Sequence, residues 1–123
     1  MSAEPVGSLG KIYIDVGDLT QAARFWGGLL GLEPRQPRSD PMGGRFVDVG
    51  AKLGTTMIVL QQVPEPHTVK NRLHLDINVS NLETAIQGVI TLGGSKVRDM
   101  ESGFAVMADP DGNEFCLIPR YEV

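Results

Sequence analysis

The stretch Arg72-Leu73-His74-Leu75-Asp76-Ile77-Asn78-Val79 decides the fold, because its pattern opens two halves of the chain. Apolar and polar residues alternate strictly in it. Since a β-strand has a side-chain period of two, the pattern predicts a strand with one apolar and one polar face. The stretch Lys11-Ile12-Tyr13-Ile14-Asp15-Val16 alternates in the same way. With Lys11 aligned on His74, the match continues, with Asp18 on Asn81, Leu19 on Leu82, Ala22 on Ala85 and Leu29 on Leu92.

Each half is predicted to have the element order βαβββ. In the first half, Asp18 is placed to cap a helix that Gly31 ends, and in the second half Asn81 caps a helix that Gly93-Gly94 ends. The strands of the first half are expected at residues 10–16, weakly near 33–38, at 45–49 and at 55–63, with a turn at 50–54. Those of the second half are expected at 72–79, 95–100, 104–108 and 113–119, with a turn at Asp109-Pro110-Asp111-Gly112.

The length of the chain indicates one domain. Its 123 residues, of which 41% are hydrophobic, are enough to bury a core without disulfides or metals. We expect a single domain over 1–123, made of a first module at about 9–63, a connector at 64–71 and a second module at about 72–120. The proline-rich composition of 64–71 is typical of a connector.

Composition also limits the partners and the compartment. The single cysteine, Cys116, excludes an intramolecular disulfide, and the first residues lack the pattern of a signal peptide, so we expect a cytoplasmic protein. No apolar run reaches the roughly 20 residues that cross a bilayer. A net charge of -4 gives no basic surface for nucleic acid. The expected partner is therefore a small molecule or another protein.

The two βαβββ modules carry Ala-Asp-Pro-Asp-Gly-Asn-Glu-Phe-Cys-Leu at 108–117, and together they resemble the vicinal oxygen chelate superfamily. This superfamily includes glyoxalase I, bleomycin resistance proteins and extradiol dioxygenases. The strings at 70–76 and 113–117 are similar to a glyoxalase-like subgroup common in actinobacteria. The resemblance implies an α+β fold in which each module contributes a curved mixed sheet to an open barrel around a cavity.

The resemblance also implies where a metal would bind. In metal-dependent members, four side chains from the first and last strands of the modules hold a divalent ion. The matching positions here are Lys11, a residue near Leu60 or Gln61, His74 and Cys116. Protonated Lys11 has no lone pair, and only His74 is a typical ligand of the glyoxalase kind. Cys116 and the nearby Glu114 are possible zinc ligands by type, but a fourth is not recognisable, so we expect no cofactor and no divalent metal.

Two functions remain open at this stage. In the first, the protein is a homodimer whose polar-lined cavity binds a small organic molecule, as in the bleomycin resistance branch. In the second, it is an isomerase or lyase in which His74 is the general base and Lys11 stabilises a developing oxyanion. The residues expected to bind the ligand are Tyr13, Asp15, Gln61, Arg72, Asp76, Glu114 and Cys116, with Gln62 as the alternative to Gln61.

A purely structural interpretation is open for the same residues. His74 would then be a hydrogen-bonded interior histidine, the charged residues would form ion pairs, and Cys116 would be a small buried strand residue. The functional interpretation makes a geometric prediction. If the first strands of the two modules pair with each other, the side chains of Lys11 and His74 should converge in one cavity next to Cys116.

Overall fold

The computed structural model describes residues 7, 9–50, 57–71, 73–101 and 103–119. Over these residues the element order βαβββ occurs twice, which confirms the predicted fold. The first module contains β1 (Lys11–Val16), α1 (Leu19–Leu30), β2 (Arg38–Ser39), β3 (Arg45–Val49) and β4 (Met57–Gln62). The second contains β5 (Asp76–Val79), α2 (Leu82–Thr91), β6 (Ser95–Asp99), β7 (Ala105–Ala108) and β8 (Glu114–Pro119).

Both helices begin at the predicted capping residues. The Asp18 carboxylate accepts a hydrogen bond from the backbone N–H of Gln21, and the Asn81 side chain accepts one from that of Thr84, each at 2.9 Å. These bonds satisfy N–H groups that have no partner inside the first turn. Helix α1 ends at Gly31, whose φ of +67° is a left-handed conformation that glycine adopts readily.

The strands form two separate four-stranded sheets, in the orders β1-β4-β3-β2 and β5-β8-β7-β6. Within each sheet the first strand lies at an edge and runs parallel to the last strand of its own module. Among the described strands, the first strands of the two modules therefore do not pair with each other, so the condition for the predicted convergence of Lys11 and His74 is not met. Among the described strands no ladder joins the two sheets, so the barrel is not closed by them.

One strand boundary also differs from the prediction. The strand expected at 72–79 begins only at Asp76, although the Leu75 carbonyl still accepts a hydrogen bond from Cys116 N–H at 2.8 Å. Leu73 is 81% exposed, so its place in the alternating pattern does not bury it. Arg72 and the turn region 51–56 lie outside the described residues.

The two modules share one core on the helix-bearing faces of their sheets. Phe25 and Trp26 of α1 pack against Phe115 of β8, with ring centroids 5.9 and 5.3 Å apart. All three side chains are buried. Position 94 in the same region requires glycine, because a Cβ there would lie only 2.6 Å from the carbonyl oxygen of Ala108. We call the opposite surface of each sheet its open face.

Candidate functional site

The open face of the first sheet carries several of the predicted site residues. In β1, Ile14 and Val16 join the core, so Lys11, Tyr13 and Asp15 point to the open face, where all three are exposed. The parallel register places Gln61 beside Asp15. Gln61 therefore shares the open face with Asp15. The Gln62 side chain instead donates to the carbonyl oxygen of Gly17 at 3.2 Å.

An ion pair on this face was missed by sequence reasoning. Arg38 donates two hydrogen bonds to the Asp48 carboxylate, each at 2.9 Å, and its guanidinium lies 4.9 Å from the ring centroid of Phe46. The pairing raises the pKa of Arg38 and lowers that of Asp48. Tyr13 packs edge-on against Phe46, with centroids 6.1 Å apart. Because Phe46 and Asp48 alternate with Val47 and Val49, the strand period could have placed them together.

The open face of the second sheet brings together three of the predicted residues. His74 Nε2 lies 3.5 Å from Asp76 Oδ1, and Cys116 is paired in register with Asp76 on the neighbouring strand. The potential ligand atoms of His74, Asp76 and Cys116 all lie within 4.8 Å of one another. Cys116 is 8% exposed, and burial, followed by the charge of Asp76, raises the pKa of its thiol. A raised thiol pKa leaves little thiolate at neutral pH.

This cluster does not fit the four-ligand ion of the superfamily. Imidazole, carboxylate and thiolate are each zinc ligands by type. Among the residues that the structure describes, however, no fourth histidine, cysteine or acid joins the three. The matching position of the first module is Lys11, a cation on the other sheet. The three potential metal ligands therefore all come from the second module.

A cavity of about 740 Å³ lies between β1 and the segment 67–75, of which residues 67–71 and 73–75 are described. Four predicted site residues line it, namely Tyr13, Asp15, His74 and Glu114. Three strongly exposed apolar residues, Leu9, Val69 and Leu73, also line it, as do Trp26, Asn71 and Asn113, which sequence reasoning did not select. The described lining does not include Lys11, Gln61, Asp76 or Cys116. The predicted convergence of Lys11 with His74 is thus not seen in this cavity.

A larger hollow of about 980 Å³ runs along α1 on the helix-bearing side of the first sheet. Of the residues that the sequence singled out for ligand binding or catalysis, its lining contains only Gln62, the alternative to Gln61, whereas four line the smaller cavity. We therefore place the candidate site in the smaller cavity.

The turn after β7 connects the second module to the floor of the cavity. The Asp109 carboxylate, 3% exposed, accepts hydrogen bonds from Trp26 Nε1 at 3.1 Å and from Asn113 Nδ2 at 2.9 Å. Asn113 Nδ2 also donates to the carbonyl oxygen of Asp15 at 3.0 Å, and Asp111 accepts from Gly17 N–H at 2.9 Å. Burial raises the pKa of Asp109. The turn at 109–112, together with Asn113, therefore also positions β1 and Trp26.

Comparison with known proteins agrees with this architecture. A family model for a glyoxalase-like domain matches residues 11–118. A search of curated protein sequences finds no match to the chain. Neither α1 nor α2, the helices in the described part of the chain, could span a lipid bilayer.

Three solved structures illustrate the similarity of fold. Glyoxalase I of Leishmania major is 19% identical, with a TM-score of 0.70 over 91% of this chain and 86% of that chain. The fosfomycin resistance protein FosX of Mesorhizobium loti is 15% identical, with a TM-score of 0.73 over 96% and 95%. The antibiotic binding protein TnmS3 of a Streptomyces strain is 19% identical, with a TM-score of 0.64 over 94% and 97%. At these identities the likeness is one of fold.

Proposed function

Because the chain belongs to the glyoxalase-like domain family of the vicinal oxygen chelate superfamily, we propose that it binds a small organic molecule in the cavity between β1 and segment 67–75. One observation carries the proposal: polar residues selected from sequence and strongly exposed apolar residues line the same cavity. Its volume of about 740 Å³ lies in the range of about 300–1,000 Å³ common for small-molecule sites.

The lining divides into parts with different effects on a ligand. Leu9, Val69 and Leu73 are 70%, 74% and 81% exposed, so a ligand that covers them removes apolar surface from water. His74 and Glu114 offer hydrogen-bonding groups that would orient the ligand. Affinity therefore comes from the apolar part of the lining and selectivity from the polar part.

We also propose that binding needs no divalent metal and that the protein acts as a homodimer. Lys11 at the first-module position and the incomplete donor set around His74 support the first point. The exposure of Lys11, Tyr13 and Asp15 on the open face supports the second, because a sheet face is usually covered by another layer. A second copy related by two-fold symmetry would cover the open faces.

The enzymatic alternative rests on the contact between His74 and Asp76. A carboxylate 3.5 Å from Nε2 can hold an imidazole in one orientation, as a general base for an isomerase or lyase reaction requires. Lys11, the residue expected to stabilise an oxyanion, does not line the cavity. This version therefore requires a second copy or a closure of the sheets to bring Lys11 to the substrate. Turnover of a bound carbonyl compound would favour it over simple binding.

A fragment screen tests the binding proposal. We expect neutral aromatic and aliphatic fragments to shift the backbone amide signals of Leu9, Val69 and Leu73 in NMR spectra. Leu73→Ser should weaken these fragments, because it removes an apolar contact from the cavity. Met42→Ser is the matched control, since Met42 is 93% exposed and does not line the cavity. Fragments that bind only along α1, or that bind Leu73→Ser as well as the control, would contradict the proposal.

A further inference from the structure

The cavity borders the edge of β1 rather than one of its faces. Four consecutive residues, Ile12, Tyr13, Ile14 and Asp15, line it. Side chains of consecutive strand residues point to opposite faces of the sheet, so one cavity can touch all four only at the strand edge. The other edge of β1 is occupied by β4. The backbone of β1 is therefore part of the cavity wall.

Two hydrogen bonds identify which backbone groups point into the cavity. The carbonyl oxygen of Val16 accepts from Val63 N–H at 2.9 Å, on the side of β4. The carbonyl oxygen of Asp15 accepts from Asn113 Nδ2 at 3.0 Å, on the opposite side. Because the direction of the backbone groups alternates along a strand, the N–H and C=O of Tyr13 point to the same side as those of Asp15. Within the described part of the chain, no residue is hydrogen-bonded to these Tyr13 groups.

We propose that the cavity binds a short peptide-like molecule, whose amide groups pair with the Tyr13 backbone and add a strand to the edge of β1. The inference rests on the proposed function and specifies its ligand class. An unpaired strand edge offers alternating donors and acceptors that match an extended amide backbone, and recognition by strand addition is a recurring use of such edges. Side groups of the ligand contact Leu9, Val69 and Leu73, which are otherwise exposed.

The shape of the cavity favours a small molecule over the strand of a second copy. The described residues of segment 67–75 lie opposite β1, and Trp26 also contributes to the lining. The strand edge thus faces a cleft of about 740 Å³ that has protein on the side opposite β1. A capped tripeptide is of a size that such a space accommodates.

The test uses acetyl-Leu-Ala-Leu-N-methylamide and two N-methylated derivatives, titrated by NMR. One derivative carries a methyl on the amide nitrogen of Ala, and the other carries methyls on those of both Leu residues. Since only one edge of an extended peptide pairs with β1, we expect the parent peptide to bind and one derivative to lose about tenfold in affinity. The other derivative should stay within about threefold of the parent. Equal effects of the two modifications, or none, would overturn the inference.

The two proposals fail differently in this experiment. If neutral fragments bind the cavity and the parent peptide does not, the ligand class is wrong while the proposed function stands. If neither fragments nor peptide bind, the proposed function is itself wrong.

A pair of variants tests the same contact from the protein side. Tyr13→Val and Tyr13→Pro both remove the ring, but only proline removes the backbone N–H, and edge strands tolerate proline where that N–H points outward. We expect Tyr13→Pro to bind the peptide about tenfold more weakly than Tyr13→Val, with both variants folded by circular dichroism. Equal affinities would contradict the backbone contact.

Amide hydrogen exchange keeps the test decisive if Tyr13→Pro does not fold. In the unmodified protein, the peptide should slow exchange of the Tyr13 N–H. Unchanged exchange with bound peptide would overturn the inference. Protection that rises with protein concentration and needs no peptide would show that a second copy occupies the edge, which would also overturn it.

Discussion

Replacing Asp109 by alanine should destabilise the protein strongly, because this one carboxylate serves both modules. It accepts from Trp26 Nε1 in the first module and from Asn113 Nδ2 in the second. It also accepts from the backbone N–H groups of Asp111 and Asn113, at 2.9 and 2.8 Å. Alanine removes the acceptor for all four hydrogens and leaves the Trp26 side chain without a partner at a buried position.

The size of the effect follows from how these groups are buried. A buried donor left without an acceptor costs about 1–3 kcal/mol. Only the bond from Trp26 is fully buried, and the other three groups are partly buried, so water can replace part of what they lose. The variant also removes the unfavourable burial of a carboxylate, which offsets some of the loss. We therefore expect the free energy of unfolding to fall by about 2–4 kcal/mol.

Urea denaturation measures this value directly. Trp26 is the single tryptophan of the chain, so its fluorescence reports unfolding next to the site of the change. The matched control is Asp99→Ala, which removes an exposed carboxylate 2.9 Å from Lys96 and should cost at most about 1 kcal/mol. If Asp109→Ala is as stable as this control, Asp109 does not join the modules and the reasoning is refuted.

Three further predictions concern acid, metal and assembly. The pKa of Asp48 is lowered from 3.8, so its contribution to the free energy of unfolding should be lost as the pH falls through its folded pKa. The pKa of Asp109 is raised from 3.8, so its contribution to the free energy of unfolding should decrease as the pH rises above 3.8. Urea denaturation between about pH 3 and pH 7 gives the slope of the free energy of unfolding against pH. Asp48→Asn and Asp109→Asn should change this slope in opposite directions, and equal slopes for the two variants would contradict the prediction. Purified protein should contain well below one equivalent of zinc, nickel, iron or manganese by mass spectrometry, whereas near-stoichiometric metal that is lost in His74→Ala would disprove it. Light scattering at micromolar concentration should give about 27 kDa, twice the chain mass of 13.3 kDa, and a monomer at every concentration would exclude the dimer.

Local patterns were enough to predict most of the fold. Asp18 and Asn81 cap helices because their side chains bond to backbone groups three residues away, which a sequence shows directly. Alternation predicted β1 to within a residue of its start, but it placed the start of β5 four residues too early. Alternation describes side-chain direction and says nothing about whether a neighbouring strand is present to pair with.

The site was less predictable because its contacts join distant parts of the chain. The bond from Trp26 to Asp109 spans 83 residues, and the pair of Arg38 and Asp48 depends on a two-residue strand that the sequence marks weakly. The proximity of His74 to Asp76 could be predicted from the sequence, since the two residues are two positions apart on an alternating stretch. The position of β1 at the edge of its sheet could not be predicted, because the sequence does not show which strands lie beside it.

The aromatic cluster of Phe25, Trp26 and Phe115 limits how the sequences of the two modules can change. Two of its members come from the first repeat and one from the second, so each repeat completes the interior of the other. If one module were lost or exchanged alone, the aromatic surface of the other module would be exposed to solvent. Selection on either half therefore acts on both, and a substitution at one of these positions should be compensated by a substitution in the other module.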